Sequence, residues 1–109
     1  VKRQTRTLIG PELDLAVIIA QRLPGPGYQR GLAVWNLPIA IPFSPSTRWM
    51  DGGPLIDQYG ITVGRIEDGL HGSDMGPPGY LSAATGLSNL MSAMRTLVLH
   101  KIGEEVELP

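Results

Sequence analysis

Apolar positions recur at helical spacing in two parts of the chain. Leu13, Ala16, Val17 and Ala20 stand at i, i+3, i+4 and i+7, which predicts a helix starting near Pro11. Gly10 then takes the cap position, and Glu12 and Asp14 face the positive end of the helix dipole. Leu15, Ile18 and Ile19 widen the stripe, so this helix is expected to be buried on more than one side and to stop before Pro24. The second pattern is firmer. Leu87, Leu90, Met91, Met94, Leu97, Val98 and Ile102 follow one helical face, with Ser88 as N-cap and Gly103 as the left-handed residue after the last turn. His100 and Lys101 lie at the negative end of that helix.

Between the two helices the pattern changes. Leu32–Trp35, Ile39–Ile41 and Ile61–Ile66 read as strands. Pro38 and Pro42 confine the middle one to an edge or an irregular crossing. Pro24-Gly25-Pro26-Gly27 reads as a turn, and residues 67–74 as an exposed loop. Residues 80–85 can add a separate turn, and Glu104–Leu108 alternates as a short edge strand would. The expected architecture is α+β: two main helices and one short helix on a small, partly irregular antiparallel sheet.

The short helix belongs to the stretch Pro45-Ser46-Thr47-Arg48-Trp49-Met50-Asp51-Gly52-Gly53-Pro54-Leu55-Ile56. Pro45 holds Ser44 extended, and Ser46 and Thr47 can support a turn. Gly52 and Gly53 allow a left-handed corner, after which Pro54 suits the first helical position and Gly60 the stop. Trp49 is expected as a buried anchor of this corner, with only its indole edge and Arg48 reaching solvent. Arg48, Trp49 and Asp51 are also the candidate binding residues, because Trp and Arg dominate interface hot spots.

The same stretch carries a resemblance. Ser-Pro-Ser-Thr-x-Trp followed by Gly-Gly-Pro-Leu-Ile (residues 44–56) resembles the NinX-like family of small phage and prophage proteins of unknown function. Leu13-Asp14-Leu15-Ala16-Val17 is similar to the family's Leu-Asp-Trp-Ala-Val helix, with Leu15 in place of its tryptophan. Leu90-Met91-Ser92-Ala93-Met94-Arg95 and the tail from Lys101 to Pro109 resemble its closing helix and acidic end. The chain departs from the family's pattern after Met75-Gly76-Pro77-Pro78, where an additional segment, Gly79–Leu87, precedes the last helix. The resemblance implies kinship and a phage origin; it brings no activity and no catalytic residues.

Composition narrows the function classes. The chain has 109 residues, enough for one domain with a modest core. Its 14 glycines and 10 prolines call for many loops. A net charge of −1 argues against a general polyanion binder. The basic cluster Lys2, Arg3 and Arg6 is expected as a flexible arm over residues 1–6, and nucleic-acid association through it is one alternative function. That start is too soon interrupted by Glu12 and Asp14 to read as a secretion signal. No apolar run is long enough to span a bilayer, so a cytoplasmic protein is the expectation. The absence of cysteine removes disulfides and thiolate chemistry and fits a reducing compartment.

Candidate chemistry is sparse. His71 has Glu67, Asp68 and Asp74 near it in sequence, which invites a metal-dependent or hydrolase-like enzyme as the other alternative. The spacing fits neither a calcium loop nor a His-Glu-x-x-His helix, so no metal, cofactor or catalytic residue is assigned. Ser46, His71 and Asp51 are the residue types of a triad, but no Gly-x-Ser-x-Gly elbow presents the serine. The leading expectation is a non-enzymatic module that contacts a protein partner through residues 45–56.

Overall fold

The computed structural model describes residues 1–76, 81 and 83–109. The described chain forms helices α1 (Gly10–Ala20), α2 (Trp49–Gln58) and α3 (Asn89–Lys101). Strands β1 (Lys2–Gln4), β2 (Gly27–Gln29), β3 (Leu32–Trp35), β4 (Ile41–Pro42), β5 (Ile61–Glu67), β6 (Leu70–Met75), β7 (Ala84–Gly86) and β8 (Glu105–Glu107) accompany them. The fold is α+β. Its strands make three small antiparallel sheets, ordered β1-β8, β2-β3-β4 and β5-β6-β7, where the sequence led us to expect one. Pro42 and Pro45 end the second sheet, and α2 stands between it and β5, so the ladders cannot run on.

Helix α3 lies at the centre, touching α1, α2, a 3-10 turn at Thr5–Thr7 and all three strands of the β5-β6-β7 sheet. Its Met94, Leu97 and Val98 are fully buried, as are Leu13, Leu15, Val17 and Ile18 of α1. Each such side chain stabilises the fold by about 1.5–3 kcal/mol through burial. The expected breadth of the α1 stripe is real: residues 13 to 18 are all buried, Asp14 included. Ser88 caps α3 by accepting the N–H of Met91 at 3.1 Å. At the other end the Gly103 N–H donates to the carbonyl of Val98 at 3.2 Å, with Gly103 at φ +130°.

Several expectations are corrected. Residues 1–6 are not a flexible arm. Lys2–Gln4 pair with Glu105–Glu107, and the Thr5 N–H donates to the carbonyl of Glu104 at 2.9 Å. Two of the three basic side chains there are also engaged, Arg3 with Glu12 at 3.2 Å and Arg6 with Glu104 at 2.9 Å. The acidic tail supplies the pairing surface that the basic start lacks by itself. The alternation of Glu104–Leu108 survives as strand β8, whose Val106 is buried between exposed Glu105 and Glu107.

Residues 67–74 are likewise not a loop. The chain turns at Asp68-Gly69 and returns as β6, with Gly72 opposite Gly64 and a bulge between Arg65 and Glu67. The polar residues of β6 hide the strand signal because two of its inward positions, His71 and Ser73, are met by polar positions of α3, and only Met75 on that face packs against the apolar core. The turn expected over residues 80–85 lies partly outside the described residues, and Thr85 belongs to β7. No helix among the described residues is long and apolar enough to cross a membrane.

Candidate functional site

The turn before α2 is held by two carboxylates. Asp51 accepts the N–H of Ser44 and Asp14 accepts the N–H of Ser46, each at 2.8 Å. The N–H groups of Thr47 and Arg48 close onto the Ser44 carbonyl at 3.2 and 2.9 Å. Helix α2 therefore starts at Trp49, more than one turn before the expected start at Pro54. Gly52 and Gly53 are both inside the helix and neither takes a positive φ, so there is no left-handed corner. Gly52 is required for another reason. A Cβ there would run into the Pro45 carbonyl oxygen and within 2.7 Å of Leu90 Cδ2, because α2 crosses α3 at close range. Pro54 sits in the helix interior, where it leaves the Met50 carbonyl without its helical donor.

This geometry turns Trp49 outward. It is 57% exposed, against the expected buried anchor, and its neighbour Met50 is 77% exposed. At the first helical position a side chain points back along the incoming chain, and the carboxylate-held turn has already filled the interior side. Arg48 is exposed as expected. Its guanidinium lies 3.9 Å from the Met50 sulfur and pairs with no carboxylate among the described residues. Asp51 is directed at Ser44 and serves the turn. Of the three candidate residues, Arg48 and Trp49 are left for a ligand.

Trp49 forms one wall of an open groove of about 450 Å³. Ser46 and Thr47 continue that wall, and Leu87, Ser88 and Met91 from the start of α3 make the other. Leu87 was expected on the buried stripe; it stands one residue before the cap and is 72% exposed. At the floor, His71 Nδ1 meets Asn89 Oδ1 at 2.7 Å.

The His71–Asn89 pair is the outer end of a polar seam between β6 and α3. Ser73, two residues further along the same strand face, donates to the Ser92 carbonyl at 2.7 Å. Its hydroxyl lies 2.6 Å from that of Thr96 and 2.8 Å from that of Ser92. Ser92 also reaches the Ala84 carbonyl at 3.0 Å. Asn89, Ser92 and Thr96 are spaced three and four apart, so one stripe of α3 meets one face of β6. The seam is fully partnered and holds His71 in place. Helix spacing of the polar residues was the available signal for it, but a strand had to be known at 70–75 before it could be used.

The catalytic alternatives gain no geometry. The Ser46 hydroxyl is buried beside Asp14 without satisfying hydrogen-bond geometry, Asp51 binds Ser44, and His71 binds Asn89. These three triad residue types thus face different partners. Among the described residues no group of three or more His, Asp and Glu side chains is placed to hold a metal.

Among the described residues the groove is lined by neither Asp or Glu nor Lys or Arg; α3 has no acid in its first turn, and the one in α2 is Asp51. Behind the turn, burial pushes the Asp14 carboxyl above its ordinary range; the adjacent polar groups of Ser46, whose N–H it accepts, oppose the shift and the nearby charge of Asp51 adds to it. No protein-family model matches the chain, and no curated protein matches it either.

Proposed function

We propose that this chain is a non-enzymatic binding module that engages a protein partner at the groove between the starts of α2 and α3. The observation that carries the reading is the outward Trp49, 57% exposed at the groove wall opposite Leu87. Large apolar side chains clustered at the surface beside an unpaired arginine are the composition of interface hot spots. The site residues are Arg48 and Trp49, joined by Leu87, while Asp51 supports them from behind by holding Ser44.

We place the module among small phage and prophage accessory proteins of the NinX-like kind, working in the cytoplasm. The ordered resemblance of residues 13–17, 44–56, 90–95 and 101–109 supports the kinship, and a chain without cysteine suits a reducing compartment. The test is affinity capture from a bacterial lysate with wild type, Trp49→Ala and Leu87→Ala. Both substitutions are expected to lose the captured protein and leave the melting temperature unchanged. A partner retained equally by all three would place the interface elsewhere.

A further inference from the structure

We infer that the outer face of the β2-β3-β4 sheet, with the turn at its end, docks on an anionic lipid surface. This face shares no residue with the lining of the groove, and neither reading depends on the other.

Strand β3 has two unlike faces. Ala33 belongs to the core and Trp35 packs against it, on the side that meets α1, with Tyr28 opposite Ala33. Leu32 and Val34 alternate to the other side. Gly27 pairs with Val34, and a Cβ on it would stand 2.8 Å from Leu37 Cδ1, so Leu37 folds onto that outer face. Next to it the Ile39 N–H closes a turn onto the Asn36 carbonyl at 2.9 Å. Asn36 and Ala40 bracket the turn at φ +63° and +59°, a conformation that disfavours alanine in particular. The strained turn displays apolar side chains: Leu37 is 45% and Ile39 73% exposed, and Leu32 on the same sheet 47%.

The charge around this face is of one sign. Residues 15–50 carry three arginines, Arg22, Arg30 and Arg48, and no Asp or Glu, a charge of +3 in a chain whose net charge is −1. All three are exposed and none joins an ion pair among the described residues, whereas Arg3, Arg6 and Arg65 each hold a carboxylate. Two of them border the apolar face. Arg30 occupies the hairpin turn beside Leu32, and Arg22 lies two residues before Pro24, whose carbonyl accepts the Asn36 N–H at 2.6 Å. Glu12 comes near Tyr28 on the α1 side, where Arg3 neutralises it at 3.2 Å. An exposed aliphatic tip bordered by arginines matches the boundary layer of a bilayer, where apolar side chains enter and guanidinium groups stay with the lipid phosphates. The cytoplasmic leaflet supplies the negative charge. A nucleic acid has no apolar layer to receive Leu37 and Ile39.

The experiment is co-sedimentation of the full chain with vesicles of phosphatidylcholine, or of phosphatidylcholine and phosphatidylglycerol in equal parts. Binding is expected to the anionic vesicles only, weakening as salt is raised. Ile39→Asp should abolish it and Ile39→Trp should strengthen it. Arg22→Gln and Arg30→Gln should each lower the partition coefficient about fivefold. These side chains are exposed, so the melting temperatures should stay at the wild-type value. Trp49→Ala should bind vesicles as wild type does. No sedimentation with either vesicle, equal sedimentation with both, or binding indifferent to Ile39→Asp and Ile39→Trp would overturn the inference. Vesicle binding lost in Trp49→Ala would move the surface to the groove and overturn it too. So would a lipid-free dimer in sedimentation velocity that Ile39→Asp dissolves, which would make a second copy of the chain the occupant.

Discussion

The carboxylate of Asp14, in the first helix, accepts the backbone N–H of Ser46 at 2.8 Å across 32 residues of chain. This buried bond fastens the turn before α2 onto α1. Asp51 fastens the same turn from the other side, and no basic residue compensates either carboxylate in the bonds they make. The exposed Trp49 and the groove follow from that arrangement.

Asp14 therefore stabilises by its bond and destabilises by its charge. Its folded carboxyl sits above its ordinary value, chiefly through burial. Ionisation is thus less favourable in the folded state, so stability is greatest below the ordinary carboxylate range and falls as pH rises through the raised value. Asp14→Asn keeps an acceptor for Ser46, can donate to its unpartnered hydroxyl, and removes the repulsion with Asp51. At pH 7 it should melt no lower than wild type, and any advantage should vanish near pH 3. Asp14→Ala should cost about 1–3 kcal/mol by stranding the Ser46 N–H. Denaturant titrations at both pH values decide it; an asparagine variant much weaker than wild type at pH 7 contradicts the account.

Gly52 and Gly53 should respond in opposite directions to alanine. At Gly52 the added methyl meets the Pro45 carbonyl and Leu90, so α2 must move away from α3, at a cost of about 1–3 kcal/mol. At Gly53 the nearest atom is Trp49 Cε3 at 3.6 Å, an ordinary contact. There alanine should stabilise by about 0.5–1 kcal/mol through helix propensity. Thermal melts of the two single variants separate close approach from backbone conformation as the reason for the pair.

Leu97→Ala and Leu90→Ala should each cost about 2–5 kcal/mol, the range for truncating a buried leucine. The Leu90 variant has a second signature. It opens space beside Gly52, so the penalty of Gly52→Ala should shrink in the Leu90→Ala background. A strictly additive double mutant would mean that the Pro45 carbonyl alone sets the Gly52 requirement.

Trp49 should be open to quencher. On a Trp35→Phe background, iodide is expected to quench Trp49 efficiently, and Trp49→Ala should change stability by no more than about 0.5 kcal/mol. A protected indole, or a loss of several kcal/mol, would place Trp49 in the core and remove the groove wall.

Thr96→Val tests the polar seam. It removes one buried hydroxyl from the Ser73 network without changing volume much, and should cost about 1 kcal/mol. Because the seam ends at His71–Asn89, partner binding should be less affected than by Trp49→Ala.

How much of this was legible in the chain follows from the range of the interactions. The limits of α1 and α3, the Ser88 cap, Gly103 and the alternation of the tail are settled within a turn or a strand, and the amino-acid sequence determined them. Strand β6 escaped because two of its inward residues, His71 and Ser73, are polar and their partners on α3 lie 18 to 23 residues away. The order of the 1–6 segment depends on Glu104–Glu107, at the far end of the chain. The local chemistry of Gly-Gly-Pro pointed to a corner, yet two carboxylates, one of them 32 residues distant, start the helix before it and turn Trp49 to solvent. Local backbone preferences here are worth about 1 kcal/mol per residue. A buried charge-assisted bond to a main-chain N–H is worth more, so the tertiary structure decided the site where the two disagreed.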